Sequence, residues 1–111
     1  MSELRRGYIY YAQLDKRRPV LVISSDIRNT YASDLLVIPC STVLSGAPTH
    51  VRLRRGEGGL RATSVLKCEQ ITTLPQSDLD HAQLGGPLSR ARLHEVEACV
   101  MRAIGIPVPL D

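Results

Sequence analysis

The chain has 111 residues, of which 43% are apolar and 23% charged, and a formal net charge of +3. That is enough apolar material for one buried core, which argues against disorder, in a chain short enough for oligomerisation to add stability. No stretch has the apolar length of a membrane span, and the opening Met-Ser-Glu-Leu-Arg-Arg lacks the apolar region of a secretion signal. The expected compartment is the cytoplasm, with no membrane partner.

Charge is unevenly placed. Residues 1–67 hold 11 Lys and Arg against 5 Asp and Glu, and residues 68–111 hold 3 against 6, a split of +6 and −3. Such asymmetry points to one half that faces a polyanion and one that is structural or partner-facing. Tyr8, Tyr10, Tyr11 and Tyr31 are the only aromatic residues, so the core is expected to be aliphatic. Cys40, Cys68 and Cys99 are odd in number and widely spaced, which fits neither a disulfide framework nor a zinc site. Each sits in an apolar pattern and reads as a small buried thiol, and no metal or other cofactor is expected.

In chain order, Arg6–Leu14 is rich in β-formers and predicts the first strand. Asp15-Lys16-Arg17-Arg18 is a short charged connection, so the strand at residues 19–24 must pair antiparallel with the first. The uninterrupted Val20-Leu21-Val22-Ile23 marks a buried strand, with Pro19 tolerated at its first position. Arg18 therefore stands at the mouth of a rigid strand, where its reach is fixed. Asp26–Thr30 predicts a loop or a single helical turn. Leu35–Ser41 predicts the third strand, with Pro39 at an edge or a bulge. Thr49–Arg54 alternates polar and apolar, as a half-buried strand does.

Arg55-Gly56-Glu57-Gly58-Gly59 predicts a turn, and without a following helix its glycines make a poor phosphate loop. Thr63–Ile71 predicts a further strand, ended by Thr72–Pro75. The one long helix comes last, with Ser89 as N-cap and Leu88 and Leu93 as a hydrophobic staple. Leu93, Val96, Val100 and Ile104 form its apolar stripe, and Gly105 and Pro107 stop it. Five or so short strands and a terminal helix predict a mainly β fold, a small curled barrel in one domain over residues 1–111.

The ordered motifs resemble the MazF/PemK (Kid) group of toxin endoribonucleases over Arg6 to about Ile106. They are Arg6-Gly7-x-Ile9-Tyr10-x-Ala12-x-Leu14, Arg18-Pro19-Val20-Leu21-Val22-Ile23-Ser24 with Asn29, and Val37-Ile38-Pro39-Cys40-Ser41-Thr42. Pro48-Thr49-His50-Val51, Ser64–Ile71 and Leu84-Gly85 follow in the same order. The resemblance implies an SH3-like barrel of the CcdB/MazF type that dimerises and cuts single-stranded RNA at short sequences without a metal. It also implies a cognate acidic, MazE-like antitoxin whose disordered tail covers the RNA groove. Arg18 falls on the family's catalytic arginine, and Ser41, or the adjacent Thr42, falls where many members carry a catalytic threonine. Two departures stand out. The connection between the first two strands is short where many members have a long Gly-rich loop with an acidic residue. Gln70-Ile71-Thr72-Thr73 also stands where Gln-Ile-Arg-Thr is common, so one basic RNA contact is missing or supplied elsewhere.

Metal-free RNA cleavage requires groups held in line and neutralisation of charge growing on the phosphoryl oxygens. A guanidinium suits the second task and makes a poor base, so Arg18 is the expected electrostatic stabiliser, with Ser41 as a second donor. The plain alternative for Arg18 is a surface salt bridge to Asp15 or Asp26; for Ser41 and Thr42 it is strand-end hydrogen bonding. Arg17, Asn29, His50, Arg52, Arg54 and Gln70 are the candidate RNA contacts, although a charge run is often a solvated face and His50 and Gln70 have structural readings too. Two other functions stay open: a CcdB-like gyrase poison, which would not need Arg18 and Ser41 to converge, and a non-catalytic RNA- or partner-binding module. The first usually acts through the end of its last helix, and Gly105-Ile106-Pro107-Val108-Pro109 lacks the Trp-Gly-Ile ending associated with it.

Overall fold

The computed structural model describes residues 3–109. Strand β1 (Ile9–Gln13) turns tightly into β2 (Arg17–Val22), a one-and-a-half-turn helix α1 (Asp26–Tyr31) leads to β3 (Asp34–Ser41), and β4 (His50–Leu53), β5 (Ser64–Lys67) and β6 (Thr72–Pro75) follow. Helix α2 (Arg90–Ala103) closes the fold. All strand pairings are antiparallel, in the order β1-β2-β3-β5-β4, with β6 also on β3. The expected mainly β fold with a terminal helix is thus present.

Strand β3 organises the sheet. One edge pairs with β2, and the other pairs first with β6 over Asp34–Val37 and then with β5 over Cys40–Ser41. Thr72–Pro75 is therefore a strand in its own right, not the end of its predecessor. The two are separated by a 3-10 turn at Cys68–Gln70, which carries the chain from one half of β3 to the other. Pro39 lies inside β3, not on an edge. The Leu36 carbonyl accepts from Ile23 N–H on the β2 side, so alternation turns the backbone of Val37, Pro39 and Ser41 to the opposite side. There the partner changes between Val37 and Cys40, and the missing proline donor costs no ladder bond.

Why Val20–Ile23 is continuously apolar is now clear. Leu21, Ile38, Cys40 and Leu66 pack with Val96 and Cys99 of α2 in one cluster, while Tyr10, Val20, Val22 and Val37 pack with Leu4 and Leu79 in another. Successive residues enter opposite clusters, so the central strands are buried on both faces. The core is not wholly aliphatic. Tyr10 is fully buried, because its hydroxyl accepts from Arg5 N–H (3.0 Å) and donates to the Glu3 carbonyl (3.3 Å). All three cysteines are buried and free, and burial pushes the Cys40 and Cys68 thiols up to about 12.

The outer edge of β1 is covered, not left open to pairing. Asp80, Leu84 and Leu88 donate backbone bonds to Tyr11, Ile9 and Gly7, which curls the sheet toward a barrel. Gly59 permits this wrap: its φ is +86°, and a Cβ there would lie 2.3 Å from the Leu84 carbonyl oxygen. The glycines at 56–59 therefore serve packing. Ser89 caps α2 by accepting from Arg92 N–H, and the helix ends in a Schellman motif. Gly105 N–H donates to Arg102 and Ile106 N–H to Met101, with Gly105 at φ +83°. The apolar stripe is shifted from expectation. Val96 and Cys99 are buried and Leu93 and Val100 partly so, but Ile104 is 62% exposed because it caps the helix beyond the sheet.

Candidate active site

Strand pairing decides which side chains meet. In β2 and β3, Val20 lies opposite Pro39, and the same register carried two residues outward sets Arg18 level with Ser41. In β3 and β5, Cys40 lies opposite Leu66, and one step further sets Pro39 level with Lys67. Leu66 and Cys40 face the α2 cluster, so alternation turns Ser41 and Lys67, and with them Arg18, to the face away from α2. A cleft of about 420 Å³ opens there, lined by Arg18, Ser41, Lys67, Gln70, Asp15 and Thr72 together with Leu14, Pro39 and Cys40.

Within the cleft Arg18 is an ion-pair partner of Asp15. Its Nε and Nη2 donate to the two carboxylate oxygens of Asp15 at 2.8 and 3.0 Å. The arginine side chain is 28% exposed and the aspartate 69%. The guanidinium holds the Asp15 carboxyl well below the usual carboxylate range. A guanidinium carries five N–H donors and two are taken, so three remain for a second oxyanion. Ser41 is 7% exposed, and its Oγ accepts from Val43 N–H at 3.1 Å, which leaves the hydroxyl proton free to donate. Thr42 follows the end of β3, is exposed and does not line the cleft. Of the two candidate hydroxyls, Ser41 alone shares the cleft with Arg18.

The sequence of the PemK-like, MazF-like toxins of type II toxin–antitoxin systems matches residues 5–104. Endoribonuclease MazF3 of Mycobacterium tuberculosis is 33% identical over 103 residues, 93% of each chain. The chain belongs to this toxin family. Its structure superposes on Mycobacterium tuberculosis toxin MazF-mt6 with a TM-score of 0.82 at 29% identity, covering 91% of this chain and 99% of that one. A mycobacterial endoribonuclease solved in complex with its cognate antitoxin gives 0.83 at 25% identity, covering 95% and 98%.

The other residues expected to contact RNA in this toxin are dispersed. Gln70 lines the cleft, exposed on its 3-10 turn. Arg17, the neighbour of Arg18, points elsewhere: it stacks over Tyr11 at 4.3 Å and pairs with Asp80. Asn29, expected to contact RNA, is instead 1% exposed and lines neither cavity. Its Oδ1 accepts from Ser24 Oγ at 2.5 Å and its Nδ2 donates to the Ser24 carbonyl at 3.1 Å, so the amide fastens α1 to the segment that follows β2. His50 and Arg52 do not reach the cleft. They lie on the edge strand β4 and line a wider groove of about 990 Å³ against α2, and His50 Nε2 pairs with Glu69 of the 3-10 turn at 3.1 Å. Arg54 is exposed and lines neither cavity. Among the described residues no three His, Cys, Asp or Glu side chains gather as a metal site would need, and no helix is long and apolar enough to cross a membrane.

Two charged residues of the cleft, Lys67 and Asp15, carry no mark of a site role in the sequence. Lys67 is the lone charge in Ser64-Val65-Leu66-Lys67-Cys68, a signal that alternation alone would read as an ordinary solvated position. Asp15 appeared only as a salt-bridge partner, and its place in the cleft follows from the tightness of the β1–β2 turn.

Proposed function

We propose that this chain is the toxin of a type II toxin–antitoxin pair and acts in the cytoplasm as an endoribonuclease, cutting single-stranded RNA at short sequences without a ribosome or a metal. The observation that carries the proposal is the register that sets Arg18 level with the Ser41 hydroxyl in one cleft. Neither a gyrase poison nor a passive binding module needs that convergence, and the relatives named as endoribonucleases favour cleavage.

The chemistry proceeds within the RNA. The 2′-oxygen attacks the adjacent phosphorus, the P–O5′ bond breaks, and the products carry a 2′,3′-cyclic phosphate and a 5′-hydroxyl. The proton lost from the 2′-hydroxyl passes to water, and the leaving 5′-oxygen takes one up from water, so the step is proton-neutral. Arg18 supplies permanent positive charge and planar donors to the equatorial oxygens through the N–H groups that Asp15 leaves free. Ser41 adds a second donor, and Gln70 offers an amide at the cleft rim to a base edge.

Assembly follows the same reading. The antitoxin-bound mycobacterial structure supports a cognate acidic antitoxin for this chain, which has its positive charge concentrated in residues 1–67. A homodimer is supported by the open groove between β4 and α2 and by the exposed Ile104 and Ile106 at the end of α2. The deciding experiment incubates purified protein with single-stranded RNA in EDTA and maps the ends. Cleavage with 5′-hydroxyl termini, abolished by Arg18→Ala, is expected. No cleavage, cleavage that EDTA stops, or cleavage that survives Arg18→Ala overturns the proposal.

A further inference from the structure

Ion pairing divides the two cations of the cleft. Arg18 is paired along one edge of its guanidinium with the carboxylate of Asp15. Lys67 has no acidic partner among the described residues, since the nearest acid in sequence, Glu69, is taken by His50 and Thr49. Lys67 is also only half-buried, at the point where β5 leaves the sheet, with its backbone already out of the extended range (φ −90°, ψ 84°). The cleft's uncompensated charge therefore sits on Lys67, two register positions along the β3–β5 ladder from Ser41 and on the same face of the sheet. An ammonium suits this position as a point charge on a flexible stem that follows a phosphate without imposing bidentate geometry.

We infer that Lys67 is the anchor for a phosphate next to the scissile one, so that the cleft grips the RNA backbone at two successive phosphates, with Arg18 and Ser41 at the reacting centre and Lys67 beside it. Thr72 lines the same cleft with an uncharged side chain, so the second cation comes from the end of β5 and not from β6. This inference rests on the RNA-cleaving reading for its ligand, but its test is separable from it. Binding at a neighbouring phosphate is made equally in the ground state and the transition state, so it belongs in KM and not in kcat.

The probe is a mixed-sequence 2′-O-methyl RNA oligonucleotide, which lacks the attacking hydroxyl and cannot be cut. Its affinity for the whole protein is measured by fluorescence anisotropy between about 50 and 200 mM salt. Lys67→Met is expected to weaken binding about fivefold and to flatten the slope of log K against log salt by about 0.7, the contribution of one contact to a single strand. Lys67→Arg is expected to restore both, and Arg90→Met, a change at an exposed cation outside the cleft, to leave both unmoved. On cleavable RNA, Lys67→Met is expected to raise KM with kcat within about twofold of the parent. An unchanged slope in Lys67→Met, an equal effect of Arg90→Met, absence of binding by the parent protein, or a fall in kcat at constant KM overturns the assignment. Lys67-dependent binding without any cleavage would uphold the anchor and sink the endoribonuclease reading; cleavage indifferent to Lys67 would do the reverse.

Discussion

The contact between Asp15 and Arg18 makes a prediction that separates two roles for the aspartate. If Asp15 positions Arg18, removing its charge harms the chemical step; if it merely competes with RNA for the guanidinium, removing it helps. Asp15→Asn keeps the shape but leaves one carbonyl oxygen to accept where two oxygens now receive Nε and Nη2. Among the lining residues it also raises the charge from +1 (Arg18 and Lys67 against Asp15) to +2. The added attraction for a polyanion is expected to lower KM roughly fivefold at low salt and less at moderate salt, where it is screened. Looser positioning of the guanidinium is expected to lower kcat by about 10- to 100-fold, since a misplacement of about 1 Å can cost 100-fold. The assay is steady-state cleavage of a fluorogenic RNA in EDTA at low and moderate salt, with KM and kcat extracted separately. A kcat equal to or above that of the parent refutes the positioning role. The pH profile supplies a second check. The Asp15 carboxyl is held below its ordinary range, so the parent keeps the pair charged as pH falls through 4 and should not drift toward the variant's KM and kcat there.

Three further outcomes are expected. Ser41→Ala should lower kcat by about 10²–10³, the usual cost of one donor to a developing oxyanion, whereas Thr42→Ala should stay within a few-fold; the reverse order in single-turnover cleavage would move the hydroxyl to Thr42. Asn29→Ala should cost about 1–3 kcal/mol in urea denaturation by stranding its Ser24 partners, with kcat/KM intact in the folded protein. Lost cleavage at full stability would return Asn29 to the site. Arg92→Met should cost about 1–2 kcal/mol at neutral pH, because Glu57 is 23% exposed and accepts from both Arg92 and the Arg54 backbone. Arg92 depresses the Glu57 pKa, so this contribution is present above the unfolded carboxylate range and lost as pH falls through the lower folded value. The stability gap between parent and variant should therefore narrow in acid and persist at pH 7 and above; a gap that does not change with pH would mean the loss is one of packing alone.

Local chemistry determined a good deal in advance. The apolar run Val20–Ile23 read as a buried strand and the short connection before it forced antiparallel pairing, although β2 begins two residues earlier than the expected 19–24, because Arg17 and Arg18 pair with Gln13 and Ala12, and it ends at Val22; Ser89 and Gly105 marked the ends of α2 through capping bonds that need nothing beyond their own helix. The ordered motifs brought Arg18 and Ser41 forward together, because each stands at the end of an apolar strand in the family's pattern. What the sequence could not decide was which distant side chains share a face. That Arg18 lies level with Ser41 depends on the β2–β3 register, a relation between residues far apart in the chain. Lys67 joined them only because β5 pairs with the second half of β3, and Thr72–Pro75 became a separate strand because β6 takes the first half. Asn29, polar and placed in a short helix, looked available to RNA, yet tertiary packing closed it over Ser24. His50 and Arg52 went to the groove at α2 because β4 is the sheet's outer strand, beyond β5 from the cleft. A strand's alternation is local and can be read from its residues; the register that aligns one strand with another is set by the cores on both sheet faces, and here that register assembled the site.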